Sequence, residues 1–330
     1  QMMGAKIEMS DKVYYEELNS CPICESQNIE LFSQCSWDKL NDDISNLGIK
    51  YFYPKWSFCT NCTHVFLNPK FSDDFEDRLY GKESIYRNIS HHGESTFEYM
   101  MSIDNTIDGL VKVHKTHFQL FKKISKLIDL DKINFLDFGA GWGSAATAVE
   151  THNMFYKGVE LDHWCLEQAL KLGRNVKSSF EDYENIDLLY SYQVFEHINN
   201  PREVLENFIH KMKIGSYVFI NVPTYEFNLT KNWSSAGLDA LHWFHCQSFS
   251  SKSLVYLFEL YGFEVVKFWL GDGDVNVLLR KKTSTLKKTK KTYQNSIRKK
   301  QIELKFHRYL LAYISLIFRL PKKLLKFLLK

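Results

Sequence analysis

Apolar and polar positions alternate in two different rhythms through the middle of this chain. Short apolar runs near 133–138, 155–160, 175–179, 187–192 and 216–222 predict strands. Between and after them, near 143–152, 163–172, 201–212 and 251–261, apolar residues return every three or four positions, the period of helices packed on one side. Strand and helix alternate, which predicts an α/β domain with a mostly parallel sheet. Two final apolar runs, 263–269 and 274–280, have no helix between them and predict an antiparallel pair bent at Gly271-Asp272-Gly273. Upstream, Ile107, Leu110, Val111, His114, Phe118, Phe121, Ile124 and Leu127 recur at helical spacing, a helix over about 105–129 that leads into the first sheet strand.

The first strand carries the chemistry. Phe135-Leu136-Asp137-Phe138 runs into Gly139-Ala140-Gly141-Trp142-Gly143 and the start of a helix. The next strand, Tyr156-Lys157-Gly158-Val159, ends on Glu160. In a Rossmann-like βαβ unit the glycines let the backbone approach a ligand closely, and an acid ending the second strand binds ribose hydroxyls. A dinucleotide site wants G-x-G-x-x-G; here Gly143 comes one place early and Ser144 stands at the dinucleotide position. The G-x-G-x-G form behind Asp137 resembles motif I of class I S-adenosylmethionine-dependent methyltransferases. The resemblance implies that Asp137, Gly139, Ala140, Gly141 and Gly143 form the loop around the amino-acid end of S-adenosylmethionine. It also implies that Glu160 holds the ribose, with Leu161 beside it.

A second pattern lies upstream. Cys21-Pro22-Ile23-Cys24 and Cys59-Thr60-Asn61-Cys62 are two CxxC turns. Each turn puts two thiolates on one side of a tight knuckle, and two knuckles complete a tetrahedron around a structural zinc ion. A redox CxxC or plain core cysteines would leave the second pair unexplained. The intervening segment is longer than usual for a zinc ribbon, but its Trp37, Tyr51, Phe52, Tyr53 and Trp56 suit a few strands around a metal. Cys35 falls outside the pattern, and Cys165 and Cys246 read as packing residues.

Open α/β sheets bind ligands beyond the carboxyl ends of their strands. After the third strand, Phe180 and Glu181 are placed to meet an adenine ring. After the fourth, Gln193-Val194-Phe195-Glu196-His197 with Asn200-Pro201 resembles the "EH" segment of small-molecule methyltransferases that carry an N-terminal zinc-binding region. By that resemblance Gln193 and Glu196 line the cofactor, and His197 is a base or a structural hydrogen-bonder. After the fifth strand, His245 with Phe249-Ser250-Ser251-Lys252-Ser253-Leu254 resembles the family's "H…F(T/S)xxSL" signature. His245 is the first choice for general base, since methyl transfer from a sulfonium needs little beyond alignment and uptake of one proton. Sugar C-methyltransferases of this layout place Glu immediately before that His and a catalytic Tyr in the N-terminal segment. Tyr80 or Tyr86 matches the Tyr, but Phe244 stands where the Glu belongs. Enolising a keto sugar needs the missing acid. The expectation is therefore methylation of oxygen or another heteroatom, with Tyr86, His91 and His92 on a substrate lid. The alternatives are C-methylation of a nucleotide-linked keto sugar and an inactive cofactor-binding scaffold.

Charge separates the tail from the body. Residues 281–330 hold 16 of the 42 Lys and Arg with one acid, Glu303, for +15, while the first 280 hold 26 bases against 38 acids, or −12. An acidic body argues against nucleic acid as its partner. In the tail, Leu304, His307, Leu310, Leu311, Ile314, Ile317 and Phe318 form a helical stripe, and Lys-rich residues 322–330 follow Pro321. Such a tail suits anionic membrane surface or a partner chain. No apolar run reaches the length of a membrane span, and unpaired cysteine usage fits a reducing cytoplasm. The predicted organisation is a zinc-binding ribbon over 1–70, a lid and leading helix over 71–130, a Rossmann-like methyltransferase domain over 131–280 and a basic amphipathic tail over 281–330. The implied acceptor is a small polar molecule, such as a nucleotide-linked sugar or a surface-polysaccharide (capsule) precursor. The expected location is the cytoplasm, including the inner face of the membrane.

Overall fold

The computed structural model describes residues 15–34, 55–73, 75, 115–226, 245–271 and 273–283. Tyr80, Tyr86, His91, His92, the connection with Trp233, Asp239, His242, Trp243 and Phe244, and the tail beyond 283 lie outside these residues.

The N-terminal part holds strands β1 (Tyr15–Glu16), β2 (Ile29–Gln34), β3 (Lys55–Cys59), β4 (Val65–Leu67) and β5 (Lys70–Phe71). Next come helix α1 (Lys115–Ile124), strand β6 (Asn134–Phe138), helix α2 (Ala146–Glu150), strand β7 (Phe155–Val159), helix α3 (His163–Lys171) and strands β8 (Val176–Lys177) and β9 (Ile186–Tyr192). Helix α4 (Pro201–Ile209), strands β10 (Met212–Pro223) and β11 (Gln247–Ser248), helix α5 (Ser251–Leu260) and strands β12 (Phe263–Leu270) and β13 (Asp274–Lys281) complete the described chain.

Seven strands form one sheet in the order β12-β13-β10-β9-β6-β7-β8. The pairs β10–β9, β9–β6, β6–β7 and β7–β8 are parallel, and only β13 runs against its neighbours. The predicted alternation and the closing antiparallel pair are thus both present. Successive strand residues point to opposite faces. Phe135, Leu188, Tyr190, Phe219 and Leu278 pack with Leu120, Phe121 and Ile124 of α1 and Ala148 and Val149 of α2. Their neighbours Leu136, Leu189, Val218, Ile220 and Leu279 pack on the other face with Leu205 and Phe208 of α4 and Leu254, Leu257 and Phe258 of α5. Burying each such side chain contributes about 1.5–3 kcal/mol, so this period-two pattern fixes the sheet's register.

Some elements differ in extent from the sequence reading. Helix α2 begins at Ala146, because Gly143 sits at φ +80°, outside helical geometry. Strand β10 begins at Met212 rather than near 216, with an irregular register up to Tyr217 around Gly215 at φ +96°. The third strand shrinks to two residues. Asp162 caps α3 by accepting from the Cys165 amide at 3.0 Å, and Ser250 and Ser253 form a reciprocal capping box on α5.

A second sheet has the order β11-β4-β3-β2. Its edge strand, residues 247–248, comes from the far side of the chain and pairs with β4 through Gln247–Phe66 and Ser248–Val65. Cys21, Ile23, Cys59, Cys62 and Phe66 share one buried cluster with the α4 and α5 face of the large sheet. The cysteine-bearing sheet is therefore packed onto the α/β body. Among the described residues no helix is long and apolar enough to cross a membrane.

Candidate active site

The glycine loop leaves β6 at the carboxyl edge of the sheet. Gly139, Gly141 and Gly143 have φ of +75°, +53° and +80°, which side chains with a Cβ rarely adopt. The amides of Gly139 and Ala140 both donate to the Val159 carbonyl at 2.9 Å, tying the loop to the end of β7. At that end Glu160 accepts three amide hydrogens: Gly141 at 2.8 Å, Leu161 at 2.7 Å and Asp162 at 2.9 Å. Burial raises its carboxyl above the usual range, although these N–H bonds favour the charged form. Leu161 projects outward, 61% exposed, at the lip of the loop. Glu160, Gly139, Ala140, Gly141 and Gly143 therefore meet at one place.

Asp137 lies beneath this loop, 4% exposed, and accepts a hydrogen bond from the Tyr156 hydroxyl at 3.1 Å. Burial, aided by the charge of Glu160, pushes its carboxyl up to about 7, against the opposing pull of Tyr156 and Arg174. Arg174 was not singled out by the sequence, yet it clamps the loop. Its guanidinium donates to the carbonyl oxygens of Gly143 and Trp142 and, at 3.3 Å, to the Thr147 hydroxyl. No motif marks it; Gly173 at φ +66° turns the chain back and delivers it. His117 of α1 braces the same loop from the other side, bridging the Tyr190 hydroxyl at 2.8 Å and the Ser144 hydroxyl at 3.1 Å.

Past β8, the Phe180 ring stands 4.5 Å from the Phe208 ring, half-buried, while Glu181 is exposed. Past β9, Gln193 takes a left-handed φ of +58° and donates to the Asn221 side chain at 2.6 Å. Asn221 in turn donates to Asn276 at 2.9 Å and to Asp274 at 3.4 Å, so polar side chains link three strand ends. The next residue, Val194, meets the glycine loop directly: a Cβ on Gly139 would lie 2.2 Å from its Cγ2. Residues 195–197 form a single 3-10 turn. It buries Glu196 completely and brings His197 Nε2 to 4.0 Å from the Glu196 Oε1. The His245 ring stands edge-on to His197 with centroids 4.9 Å apart. Glu196, His197 and His245 each present a ligand-type atom within 4.8 Å of the others. Neither Glu196 oxygen has a hydrogen-bond partner among the described residues. Burial, with Asp274 nearby, pushes this carboxyl up to about 8. The structure thus brings His197 and His245 together beside Glu196, next to the glycine loop. Tyr86 lies outside the described residues.

The four knuckle cysteines also converge. Cys21 Sγ lies 3.6 Å from Cys62 Sγ and Cys24 Sγ 3.5 Å from Cys59 Sγ, and all four sulfurs lie within 4.8 Å of one another. Four sulfurs at about 2.3 Å from one tetrahedral zinc are about 3.8 Å apart, so this arrangement fits. The Ile23 amide points at Cys21 Sγ at 3.4 Å and the Asn61 amide group at Cys24 Sγ at 3.6 Å, the donors a thiolate accepts. His64, two residues past the second knuckle, was also missed. It is fully buried, and desolvation lowers its pKa to about 4, leaving it neutral. Its Nε2 lies 2.8 Å from Gln247 Oε1, and Gln247 Nε2 donates to the carbonyls of Ile198 at 3.0 Å and Asn199 at 3.1 Å. That pairing assigns the Gln247 amide orientation and makes His64 Nε2 the donor.

The strand order, the lone antiparallel strand and the glycine loop closed by Glu160 together define a class I methyltransferase domain. Residues 113–267 match the family model described as a methyltransferase domain. The chain therefore carries a methyltransferase domain with the Rossmann-like class I fold. No curated protein sequence matches the chain. Among solved structures it is similar to mitomycin 7-O-methyltransferase, at 14% identity and a TM-score of 0.42 over 56% of this chain and 60% of that one. It is also similar to magnesium protoporphyrin IX methyltransferase from Synechocystis PCC 6803 with bound SAH, at 9% identity and a TM-score of 0.45 over 61% of this chain and 100% of that one. A third is the plantazolicin methyltransferase in complex with SAH, at 13% identity and a TM-score of 0.41 over 57% and 94% of the two chains.

Proposed function

We propose that this enzyme transfers the methyl group of S-adenosylmethionine to an oxygen or other heteroatom of a small polar acceptor, of the class of nucleotide-linked sugars or surface-polysaccharide precursors. In this reading the Gly139–Gly143 loop receives the amino-acid end of the donor and Glu160 the ribose. The acceptor sits over Glu196, His197 and His245 and loses its proton there. The observation that carries the reading is the contact between Gly139 and Val194, which sets the donor loop against the turn that bears Glu196 and His197. An in-line displacement needs the nucleophile held against the sulfonium methyl and somewhere for one proton to go; the two imidazoles beside the donor loop, His197 and His245, supply that, with the buried Glu196 carboxyl next to them. Phe244 in place of the acid that C-methylation uses favours a heteroatom acceptor.

Four thiolates at tetrahedral spacing favour zinc at Cys21, Cys24, Cys59 and Cys62. With all four positions taken by the chain, the ion has none left for substrate, so its role is structural. The experiment is incubation of the protein with methyl-labelled S-adenosylmethionine and a panel of nucleotide-linked sugars, with products located by mass spectrometry. A labelled ether or ester with matching S-adenosylhomocysteine supports the reading. Label on carbon, with solvent deuterium entering beside a ketone, would replace it with C-methylation.

A further inference from the structure

A buried carboxylate with no donor is costly unless something else satisfies it. Glu196 is 0% exposed, and both its oxygens lack a hydrogen-bond partner among the described residues. The groups that face it are His197, with Nε2 4.0 Å from Oε1, and His245, edge-on to His197. Asp274 approaches from β13 and adds a second acid to the neighbourhood. One carboxylate and two imidazoles whose ligand atoms all lie within 4.8 Å of one another form a recognised donor set for divalent transition ions, with open positions left for a ligand.

We propose that Glu196, His197 and His245 bind a divalent metal ion at the acceptor end of the site, separate from the four-cysteine cluster. The donor sets sort the two ions. Thiolates select zinc, whereas a nitrogen and oxygen set suits manganese, iron or cobalt. The proposal rests on the methyl-transfer reading for what the ion does, and it names the acceptor more closely: a molecule with two neighbouring oxygens, such as a vicinal diol or a hydroxy-carbonyl group. With both oxygens on the ion, the acceptor O–H is more acidic and its proton passes to solvent. That oxygen then forms the new C–O bond as the methyl C–S bond breaks, and the electron pair stays on sulfur to give S-adenosylhomocysteine. His245 is then a metal ligand rather than the free base that its sequence signature suggests.

The test is a titration of Mn2+ into the zinc-loaded full-length protein, following loss of the free Mn2+ signal by electron paramagnetic resonance. The same titration is made on Glu196→Gln and His245→Ala. The expected result is one Mn2+ per chain, with affinity falling by about 100-fold in each variant. Zinc content should remain at the wild-type level in both variants, and S-adenosylmethionine binding in His245→Ala, which shows that the variants are folded. Absence of Mn2+ binding to the wild-type protein, or Mn2+ affinity at the wild-type level in both variants, overturns the proposal. The outcomes also separate the two readings. A wild-type protein that binds S-adenosylmethionine but no Mn2+ removes only the metal, and one that binds Mn2+ but no S-adenosylmethionine removes only the donor site.

Discussion

Two glycines two residues apart should fail in different ways when a methyl group is added. Gly139 has φ +75°, and its new Cβ would lie 2.2 Å and 2.8 Å from the two methyl carbons of Val194. A left-handed backbone costs an L residue about 1–2 kcal/mol, and forcing a methyl group into a packed contact adds about 1–3 kcal/mol. Gly139→Ala should therefore lose about 2–5 kcal/mol of stability, a drop of roughly 4–20 °C in Tm. Gly141 has φ +53°, but nothing lies within 4 Å of its added Cβ. Gly141→Ala should lose only the backbone cost, about 1–2 kcal/mol. Its methyl group projects into the open space over the loop, where we propose the donor's amino-acid end lies, so S-adenosylmethionine affinity should fall by about 30-fold, or about 2 kcal/mol. Differential scanning calorimetry reads the first effect and isothermal titration the second. The double variant Gly139→Ala, Val194→Ala should recover the packing part of the loss and keep the backbone part. If Gly139→Ala is as stable as wild type, or if Gly141→Ala binds the donor normally, the loop does not hold the donor as described.

Other expectations follow from the same site. Glu160→Ala removes the carboxylate expected to hold two ribose hydroxyls; with charged hydrogen bonds at about 1.5–3 kcal/mol each, affinity for S-adenosylmethionine should fall by at least about 100-fold, with NAD as a control ligand that neither protein binds. Asp137 is held at about 7 against an ordinary value near 3.8, so the folded state binds its proton more tightly than the unfolded state. The stability this contributes is complete below about pH 4 and is lost as pH rises to about 7. Asp137→Asn should flatten that part of the stability–pH curve, seen by denaturant melts at several pH values, and an unchanged slope would count against a buried neutral Asp137. Arg174→Met keeps much of the packing but removes the donors to Gly143 and Trp142; S-adenosylmethionine binding should weaken by roughly 10-fold, and unchanged titration heats would show that the clamp is dispensable.

The large sheet was legible because its strands and helices differ in period, and because the glycines and Glu160 sit where strands end. Parallel strands buried on both faces leave little freedom for another arrangement. The carboxyl edge then gathers Gln193, Glu196, His197 and His245, whose loops follow β9 and β10. What sequence reasoning missed are contacts between segments with no shared pattern. Arg174 reaches back from a turn to the glycine loop, and His117 reaches from α1 to Ser144 and Tyr190. His64 looked like a residue after a knuckle, since nothing local shows that its partner is Gln247. Strand β11 escaped as well: two residues are too short for periodicity, and the pairing with β4 spans most of the chain.

That long-range pairing ties the cysteine cluster to the segments that carry His197 and His245, which we propose form the acceptor side of the site. Thr63 and His64, directly after Cys62, hold Ser250, Ser253 and Gln247. Gln247 holds the carbonyls of Ile198 and Asn199, one and two residues past His197, and it lies two residues past His245. The Leu67 amide donates to the Cys246 carbonyl at 2.9 Å, fixing the residue between them. Glu25, Thr63 and Phe71 add polar links to Arg202, Tyr225 and Asn199. The glycine loop is braced from elsewhere, by Val159, Glu160, Arg174 and His117. Disturbing the knuckles should therefore reach the two histidines before it reaches the donor loop. Cys21→Ser removes one of the four ligands proposed for zinc and should lower the zinc content, seen by metal analysis, and thermal stability. Imidazole NMR signals of His197 and His245 should shift or broaden, while S-adenosylmethionine affinity stays within about threefold, or about 0.7 kcal/mol, of wild type. Donor affinity falling in parallel with zinc content would mean that the two sheets act as one unit and that the separation argued from these contacts is wrong.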